Sequence, residues 1–116
     1  MNILILDDDL TRHELFKKNF AHHNITSVET VDQAIKLLQT RIYDAVFLDH
    51  DLGGHSYVES GGAEPTGYDV AKWLSEHPEH KPKSIYIHSM NPVGADKMHK
   101  LLPGSKLAPS LWTMKQ

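Results

Sequence analysis

The sequence contains no cysteine, which excludes disulfide bridges, thiolate metal sites and cysteine nucleophiles. It has no strong excess of charge either: the formal net charge is −3, so we expect no attraction to double-stranded nucleic acid or to a membrane surface. Long apolar runs are also missing, and the one near the start, Ile3 to Leu6, is too short for a signal peptide or a membrane span. These absences predict a soluble, cytoplasmic protein.

What the chain does have is enough apolar material for a core. Of its 116 residues, 40% are hydrophobic, which is typical of a globular protein and argues against disorder. This length predicts a single domain over residues 1–116. Histidine is abundant, with 9 residues, so one histidine taken alone carries little weight as a functional signal.

Short apolar runs alternate with helical patterns along the chain. Strands are predicted at residues 2–6, 25–28, 45–48 and 84–87, with a short fifth strand at 110–114. Helices are predicted between them, from Thr11 to about residue 23, from Thr30 to 38, from about 67 to 77, and from Pro92 to about 102. This alternation predicts an α/β fold, with a parallel sheet covered by helices on both faces.

Two of the helix starts show the pattern of a capping box, in which two side chains satisfy exposed backbone amides. Thr11 with Glu14 is the first, and Thr30 with Gln33 is the second. A long segment separates the third strand from the third helix. Residues 50–66 are rich in Gly, Ser, Glu and Pro and predict a loop insertion of about seventeen residues.

Acidic residues follow two of the predicted strands. Asp7, Asp8 and Asp9 come after the first, and Asp49 and Asp51 come after the third. In the strand order 2-1-3-4-5 these two strands are neighbours, so their acids would meet at one edge of the sheet. Crowded carboxylates suit Mg²⁺ or Mn²⁺. A single aspartate after a strand is also a common helix cap, and for Asp9 both roles stay open.

These motifs resemble those of response-regulator receiver domains. "ILILDDD" is similar to the start of such domains, and "YDAVFLDHDL" is similar to their third strand, over about residues 1 to 102. The resemblance implies a flavodoxin-like sheet of five strands in the order 2-1-3-4-5. It implies that Asp7 and Asp8 bind the metal, Asp8 more directly, and that Asp49 is the phosphoacceptor. Asp51 stands where receivers offer a backbone carbonyl to the metal.

The chain also departs from the receiver pattern. Where receivers have Thr or Ser after the fourth strand, "IYIHSMNP" offers His88 or Ser89. For the receiver lysine that binds the phosphoryl group, Lys115 stands nearest, without the usual following proline. The last helix is expected to be lacking, which would leave an apolar surface exposed and suit a homodimer.

Three further stretches resemble a narrower group, the receiver-like domains described as cyclic-phosphate processing. They are "LDHDLGG", "TGYDVAKWL" and "HSMNPVGADKM". The resemblance implies a phosphate-containing partner, such as a cyclic nucleotide or a 2′,3′-cyclic phosphate, and a metal-dependent phosphoesterase is one reading of it. Two alternatives stay open: a signalling receiver phosphorylated on Asp49, and a non-catalytic domain that sequesters a nucleotide or docks a protein.

Several polar residues near the acids are candidates for binding or catalysis. His50 and His88 are candidate proton carriers beside a bound phosphate, or ligands of a softer transition metal. His50 has the alternative of facing away from the pocket, because neighbouring strand residues alternate in direction. Ser89 and Asn91 are candidate hydrogen-bond donors to phosphate oxygens, although Asn91 with Pro92 also fits an ordinary helix start.

Overall fold

The computed structural model describes residues 1–49, 66–88 and 92–107. Strands and helices alternate along these segments. The strands are β1 (Asn2–Leu6), β2 (Asn24–Val28), β3 (Ala45–Leu48), β4 (Ser84–Ile87) and β5 (Lys106–Leu107). The α-helices are α1 (Leu10–Asn19), α2 (Val31–Leu38), α3 (Gly67–Glu76) and α4 (Pro92–Leu101), with a short 3-10 helix at Pro78–His80.

The five strands form one parallel sheet in the order β2-β1-β3-β4-β5. This confirms the predicted flavodoxin-like architecture. None of the helices in the described segments is long and apolar enough to cross a membrane. A last helix would follow Leu107, beyond the described residues, so its predicted absence stays a prediction.

The sheet separates two apolar clusters because successive strand side chains point to opposite faces. The larger cluster joins Leu4, Leu6, Val46 and Leu48 to the buried sides of α2, α3 and α4. Half-buried Trp73 packs against it. The smaller cluster lies under α1 and consists of Ile3, Ile5, Phe16, Phe20, Ala45 and Phe47.

The start of α1 differs from the prediction. Asp9, and not Thr11, is the N-cap residue: its carboxylate Oδ1 accepts from the backbone N–H of Thr11 at 2.8 Å. Because Asp9 satisfies these amides, the helix begins at Leu10 and Thr11 already lies inside it. The helix also ends earlier than predicted, at Asn19.

The other helix starts follow their sequence signals. Thr30 and Gln33 form the predicted capping box of α2. Thr66 and Asp69 form a second one at the start of α3, which the sequence interpretation did not identify. Thr66 is the last residue of the predicted loop insertion, and residues 50–65 lie outside the described part of the chain.

The fifth strand was predicted in the wrong place. It occupies Lys106–Leu107, closer to α4 than the predicted residues 110–114, which lie outside the described segments. The reason is a tight reversal after α4. Gly104 has φ of +93°, a conformation that favours glycine, so the chain returns to the sheet within a few residues of Leu101.

Candidate functional site

Three polar residues continue the central strands by one position each. Asp7 follows β1, Asp49 follows β3 and His88 follows β4. Each still donates its backbone N–H to the neighbouring strand: Asp7 to Val28 O at 3.1 Å, Asp49 to Leu6 O at 3.1 Å, and His88 to Leu48 O at 3.0 Å. The sheet therefore sets all three residues side by side at its carboxyl edge.

The side chains of these three residues converge on the face of the sheet covered by α1. Their exposed fractions are 0% for Asp7, 3% for Asp49 and 3% for His88. One ligand atom from each lies within 4.8 Å of the others. We call this set, Asp7, Asp49 and His88, the strand-end triad; it is the one group of at least three potential metal ligands found among the described residues.

His88 is held between aromatic rings and the carboxylate of Asp7. Its ring centroid lies 5.7 Å from that of Phe16 and 6.3 Å from that of Phe47. Burial lowers the pKa of His88 below its usual 6.5, despite the opposing hydrogen bond to Asp7. The neutral imidazole therefore donates from Nε2 to Asp7 Oδ2 at 2.9 Å. Within the described residues its Nδ1 has no hydrogen-bond partner.

Asp7 is ionised although it is completely buried. Burial raises its pKa, but the hydrogen bonds from His88, Arg12 and the backbone of Asp9 together outweigh that effect and lower the pKa to about 2. The backbone carbonyl of Asp7 also accepts from His13 Nε2 at 2.7 Å. Asp7 is thus the anionic centre of the site, anchored through both its side chain and its backbone.

Arg12 contacts more of the acids than any other described side chain. Its Nε lies 2.6 Å from Asp7 Oδ2 and its Nη2 lies 2.9 Å from Asp7 Oδ1, which makes a bidentate pair. Nη2 also lies 3.3 Å from Asp49 Oδ2. The hydrogen bond to Asp7 raises the pKa of Arg12, so its positive charge offsets the buried carboxylates.

The remaining two acids of the first motif lie further out. The side chain of Asp8 is 18% exposed, and its Oδ1 lies 4.0 Å from Arg12 Nη2. Asp9 is 43% exposed in its side chain and has the role of helix cap, one of the two roles that its sequence position allowed. Of Asp7 and Asp8, the expected metal-binding pair, Asp8 was predicted to be the more direct ligand, whereas Asp7 is the residue in the strand-end triad.

Arg12 and His13 were missed by sequence reasoning. The sequence pattern predicts only a helix for the residues that follow the acids and gives them no role in the site. A signal was available for Arg12, since it stands three and four positions after Asp9 and Asp8, close enough along the chain for an arginine to pair with a carboxylate. Five further candidate site residues lie outside the described segments: His50, Asp51, Ser89, Asn91 and Lys115.

The strand-end triad has the chemistry of a divalent cation site. Carboxylates suit hard cations such as Mg²⁺, and adding an imidazole to two carboxylates extends the fit to Mn²⁺ and other first-row metals. Arg12 already donates a hydrogen bond to each carboxylate oxygen of Asp7. The residues therefore fit a divalent cation provided that at least one of these two hydrogen bonds is broken.

The sequence matches a protein family over residues 2–104, and the description of that family is "Cyclic-phosphate processing Receiver domain". The chain belongs to this family. Among proteins with curated annotation, none matches this receiver domain significantly.

Solved structures share the receiver fold. Response regulator TrrA from Thermotoga maritima, in complex with Mg²⁺-BeF, is 20% identical; the match covers 94% of this chain and 85% of that one, with a TM-score of 0.71. A CheY-like receiver domain from Methylobacillus flagellatus is 22% identical, with coverages of 92% and 83% and a TM-score of 0.68.

A Burkholderia pseudomallei response regulator, solved with a phosphorylated aspartic acid, a calcium ion and citrate, is 16% identical. That match covers 92% of this receiver domain but only 58% of the other chain, with a TM-score of 0.69. At these identities the likeness extends to the fold alone.

Proposed function

We propose that this receiver domain binds a divalent cation at the strand-end triad and a phosphate ester beside it, and that it processes cyclic phosphates. The observation that carries the proposal is the convergence of Asp7, Asp49 and His88, three buried residues with ligand atoms within 4.8 Å of one another. The description of the family supports cyclic phosphate as the substrate class.

The donor set supports Mn²⁺ or Mg²⁺ as the cation. Two carboxylates supply the hard oxygen ligands that both ions accept. The imidazole of His88 would favour Mn²⁺ once its proton moves to Nδ1, so that Nε2 exchanges its hydrogen bond to Asp7 for the cation. A structure of TrrA contains Mg²⁺-BeF and the Burkholderia protein contains a calcium ion, so divalent cations occur in proteins of this fold. When bound, such a cation would polarise a phosphoryl oxygen as a Lewis acid.

His88 fits a positioning role better than that of a proton carrier. Its Nε2–H is committed to Asp7 and its side chain is 0% exposed, so it has no open path to a substrate. Proton transfer would then fall to residues outside the described segments, for which His50 and Ser89 remain our candidates. Asp51 is proposed to add a metal ligand, and Asn91 and Lys115 to bind phosphate oxygens.

The cation site can be tested by calorimetry with Mn²⁺ and Mg²⁺ on the wild type, Asp7→Asn and Asp49→Asn. Each substitution should weaken binding at least about tenfold, because it removes a charged ligand. Asp44→Asn is the matched control: it also removes one negative charge, but Asp44 lies at the opposite end of the sheet, bonded to the backbone of Asn2. Equal affinity in all four proteins would refute the proposed site.

The reaction requires a separate experiment. Cyclic mono-, di- and oligonucleotides and RNA ends with 2′,3′-cyclic phosphates should be incubated with the domain and Mn²⁺ or Mg²⁺, with products separated by chromatography. We expect ring opening of at least one class, lost in Asp49→Asn. Tight binding of an intact cyclic nucleotide without any product would instead support a nucleotide-sequestering domain.

A second function, phosphoryl signalling through Asp49, is supported by one observation. Asp49 follows the third strand of a receiver sheet, and a protein of this fold has been solved with a phosphorylated aspartic acid. Incubation with acetyl phosphate and Mg²⁺ should then add the mass of a phosphoryl group that Asp49→Asn cannot accept. A stable adduct without turnover of cyclic phosphates would favour signalling over processing.

A further inference from the structure

Asp7 Oδ2 accepts hydrogen bonds from two cationic or potentially cationic side chains. His88 Nε2 donates to it at 2.9 Å and Arg12 Nε at 2.6 Å. The other oxygen, Oδ1, accepts from Arg12 Nη2 at 2.9 Å and from the backbone N–H of Asp9 at 2.8 Å. Each carboxylate oxygen of Asp7 thus accepts two hydrogen bonds. A cation that binds this carboxylate must therefore displace one of the donors.

Arg12 is the donor that is free to move. His88 is fully buried and packs against Phe16 and Phe47, so its ring has no space to turn away. The side chain of Arg12 is 23% exposed and lies on the first turn of α1, with solvent on its outer side. A long, flexible side chain that already reaches solvent can leave the carboxylate at little steric cost.

Two further carboxylates, those of Asp8 and Asp9, lie near the guanidinium of Arg12 and are more exposed than Asp7. Arg12 Nη2 lies 4.0 Å from Asp8 Oδ1, and Nη1 lies 3.8 Å from Asp9 Oδ2. The exposed fraction of these carboxylates rises from 0% at Asp7 through 18% at Asp8 to 43% at Asp9. The guanidinium can therefore withdraw toward the mouth of the pocket without losing all its anionic partners.

The withdrawn guanidinium would remain close to Asp49. Nη2 already lies 3.3 Å from Asp49 Oδ2, and the side chain of Asp49 is 4% exposed where those of Asp7 and His88 are 0% exposed. Arginine binds phosphate oxygens in a bidentate manner, which a lysine cannot do. Within the described residues this is the one arginine or lysine that contacts the triad.

We propose that Arg12 is both the internal counter-cation of the strand-end triad and the residue that binds the phosphoryl oxygens once a divalent cation has displaced it from Asp7. This inference rests on the proposed cation and phosphate site. It adds Arg12, on the first helix, to the phosphate contact that the receiver pattern makes with a lysine after the fifth strand and that we propose for Lys115. It also couples the two ligands, because Arg12 becomes available to phosphate only after it has left Asp7.

The test compares Arg12→Gln with Lys17→Gln. Both substitutions remove one positive charge from α1, but Lys17 is exposed and has no part in the triad. We expect Arg12→Gln to bind Mn²⁺ about tenfold more tightly in calorimetry, since the competing charge-assisted bonds are gone. With Mg²⁺ saturating, it should bind inorganic phosphate about tenfold more weakly than the wild type. Lys17→Gln should leave both affinities unchanged.

Opposite changes in the two affinities are the decisive result, because general loss of structure would weaken both. Arg12→Lys, which keeps the charge but not the bidentate geometry, should lie between the wild type and Arg12→Gln in both titrations, and it serves if Arg12→Gln does not fold. An unchanged or weaker Mn²⁺ affinity, or an unchanged phosphate affinity, would overturn the inference. If Asp7→Asn and Asp49→Asn abolish Mn²⁺ binding while the Arg12 variants match the wild type, the role of Arg12 is refuted and the cation site is retained. If the wild type binds no cation, both the cation site and the role of Arg12 are refuted.

Discussion

Asp7 and His88 stand 81 residues apart in the sequence, and their side chains meet in a hydrogen bond of 2.9 Å. The bond passes over β3, because β1 and β4 lie on either side of that strand in the sheet. Both side chains are fully buried. This contact joins the ends of two strands that do not pair with each other, directly above the strand that carries Asp49.

Replacing His88 should change which cation the domain prefers. His88→Asn removes the imidazole, so the advantage of Mn²⁺ over Mg²⁺ in calorimetric affinity should fall by about tenfold. His22→Asn is the control, since His22 is an exposed histidine in the turn that follows α1 and has no part in the triad. A ratio of affinities that stays the same in His88→Asn would show that His88 is not a ligand.

Acid should destabilise the protein in two stages. The pKa of His88 is lowered by burial, so the unfolded chain takes up a proton there more readily, and stability is lost as the pH falls below 6.5. The pKa of Asp7 is lowered from 3.8 to about 2, so stability that is present above pH 3.8 is lost as the pH falls toward 2. This second stage amounts to about 2 kcal/mol.

Urea unfolding at a series of pH values measures both stages. His88→Asn should flatten the profile just below pH 6.5, relative to the wild type, and should also reduce the loss at lower pH, because the hydrogen bond from His88 helps to lower the pKa of Asp7. Identical slopes for the two proteins in that upper range would contradict the assignment of a buried, neutral imidazole.

The cap of α1 should contribute measurably to stability. Asp9→Ala removes the carboxylate that accepts from the amides of Thr11 and Arg12, which should cost about 1 kcal/mol in the free energy of unfolding. Asp9→Asn retains an acceptor and should cost less. Asp32→Ala serves as the control, because Asp32 is an exposed acid in the first turn of α2 whose cap is Thr30. Equal losses in the free energy of unfolding for Asp9→Ala and Asp32→Ala would show that the effect comes from the removed negative charge and not from the removed cap.

Phe16 and Phe20 offer a way to separate stability from site geometry. Both are buried in the smaller cluster, and truncation of either to alanine should cost about 3 kcal/mol or more in the free energy of unfolding. Of these two, Phe16 packs against the His88 ring, with ring centroids 5.7 Å apart, whereas Phe20 packs against Phe16, His23 and Phe47. Phe16→Ala should therefore also shift the NMR resonances of His88 and weaken Mn²⁺ binding, whereas Phe20→Ala should leave both near their wild-type values.

The strands that build the site were predictable because they are mostly apolar. Residues 2–6, 45–48 and 84–87 were identified at their observed bounds, since a short run of mostly apolar residues is typical of a strand covered on both faces. The position of Asp7, Asp49 and His88 at one edge then followed from the topology of parallel sheets. The first and third strands were correctly expected to be neighbours.

What escaped prediction depends on side-chain geometry and local turns. The pairing of Arg12 with Asp7 and Asp49 requires knowing how α1 sits over the strand ends, which periodicity does not report. The fifth strand was placed too late because the reversal depends on the positive φ of Gly104, and nothing in an apolar pattern marks where a chain turns back. The cap at Asp9 competed with an equally good cap sequence at Thr11.

The backbone bonds of Asp7, Asp49 and His88 to their neighbouring strands have a consequence for folding. The three side chains face one another only when β1, β3 and β4 pair in the native register, because a shift by one residue would turn a side chain to the opposite face of the sheet. A ligand that bridges all three would thus stabilise correct pairing over every slipped arrangement. Binding of such a ligand would then favour the native strand register while the sheet assembles.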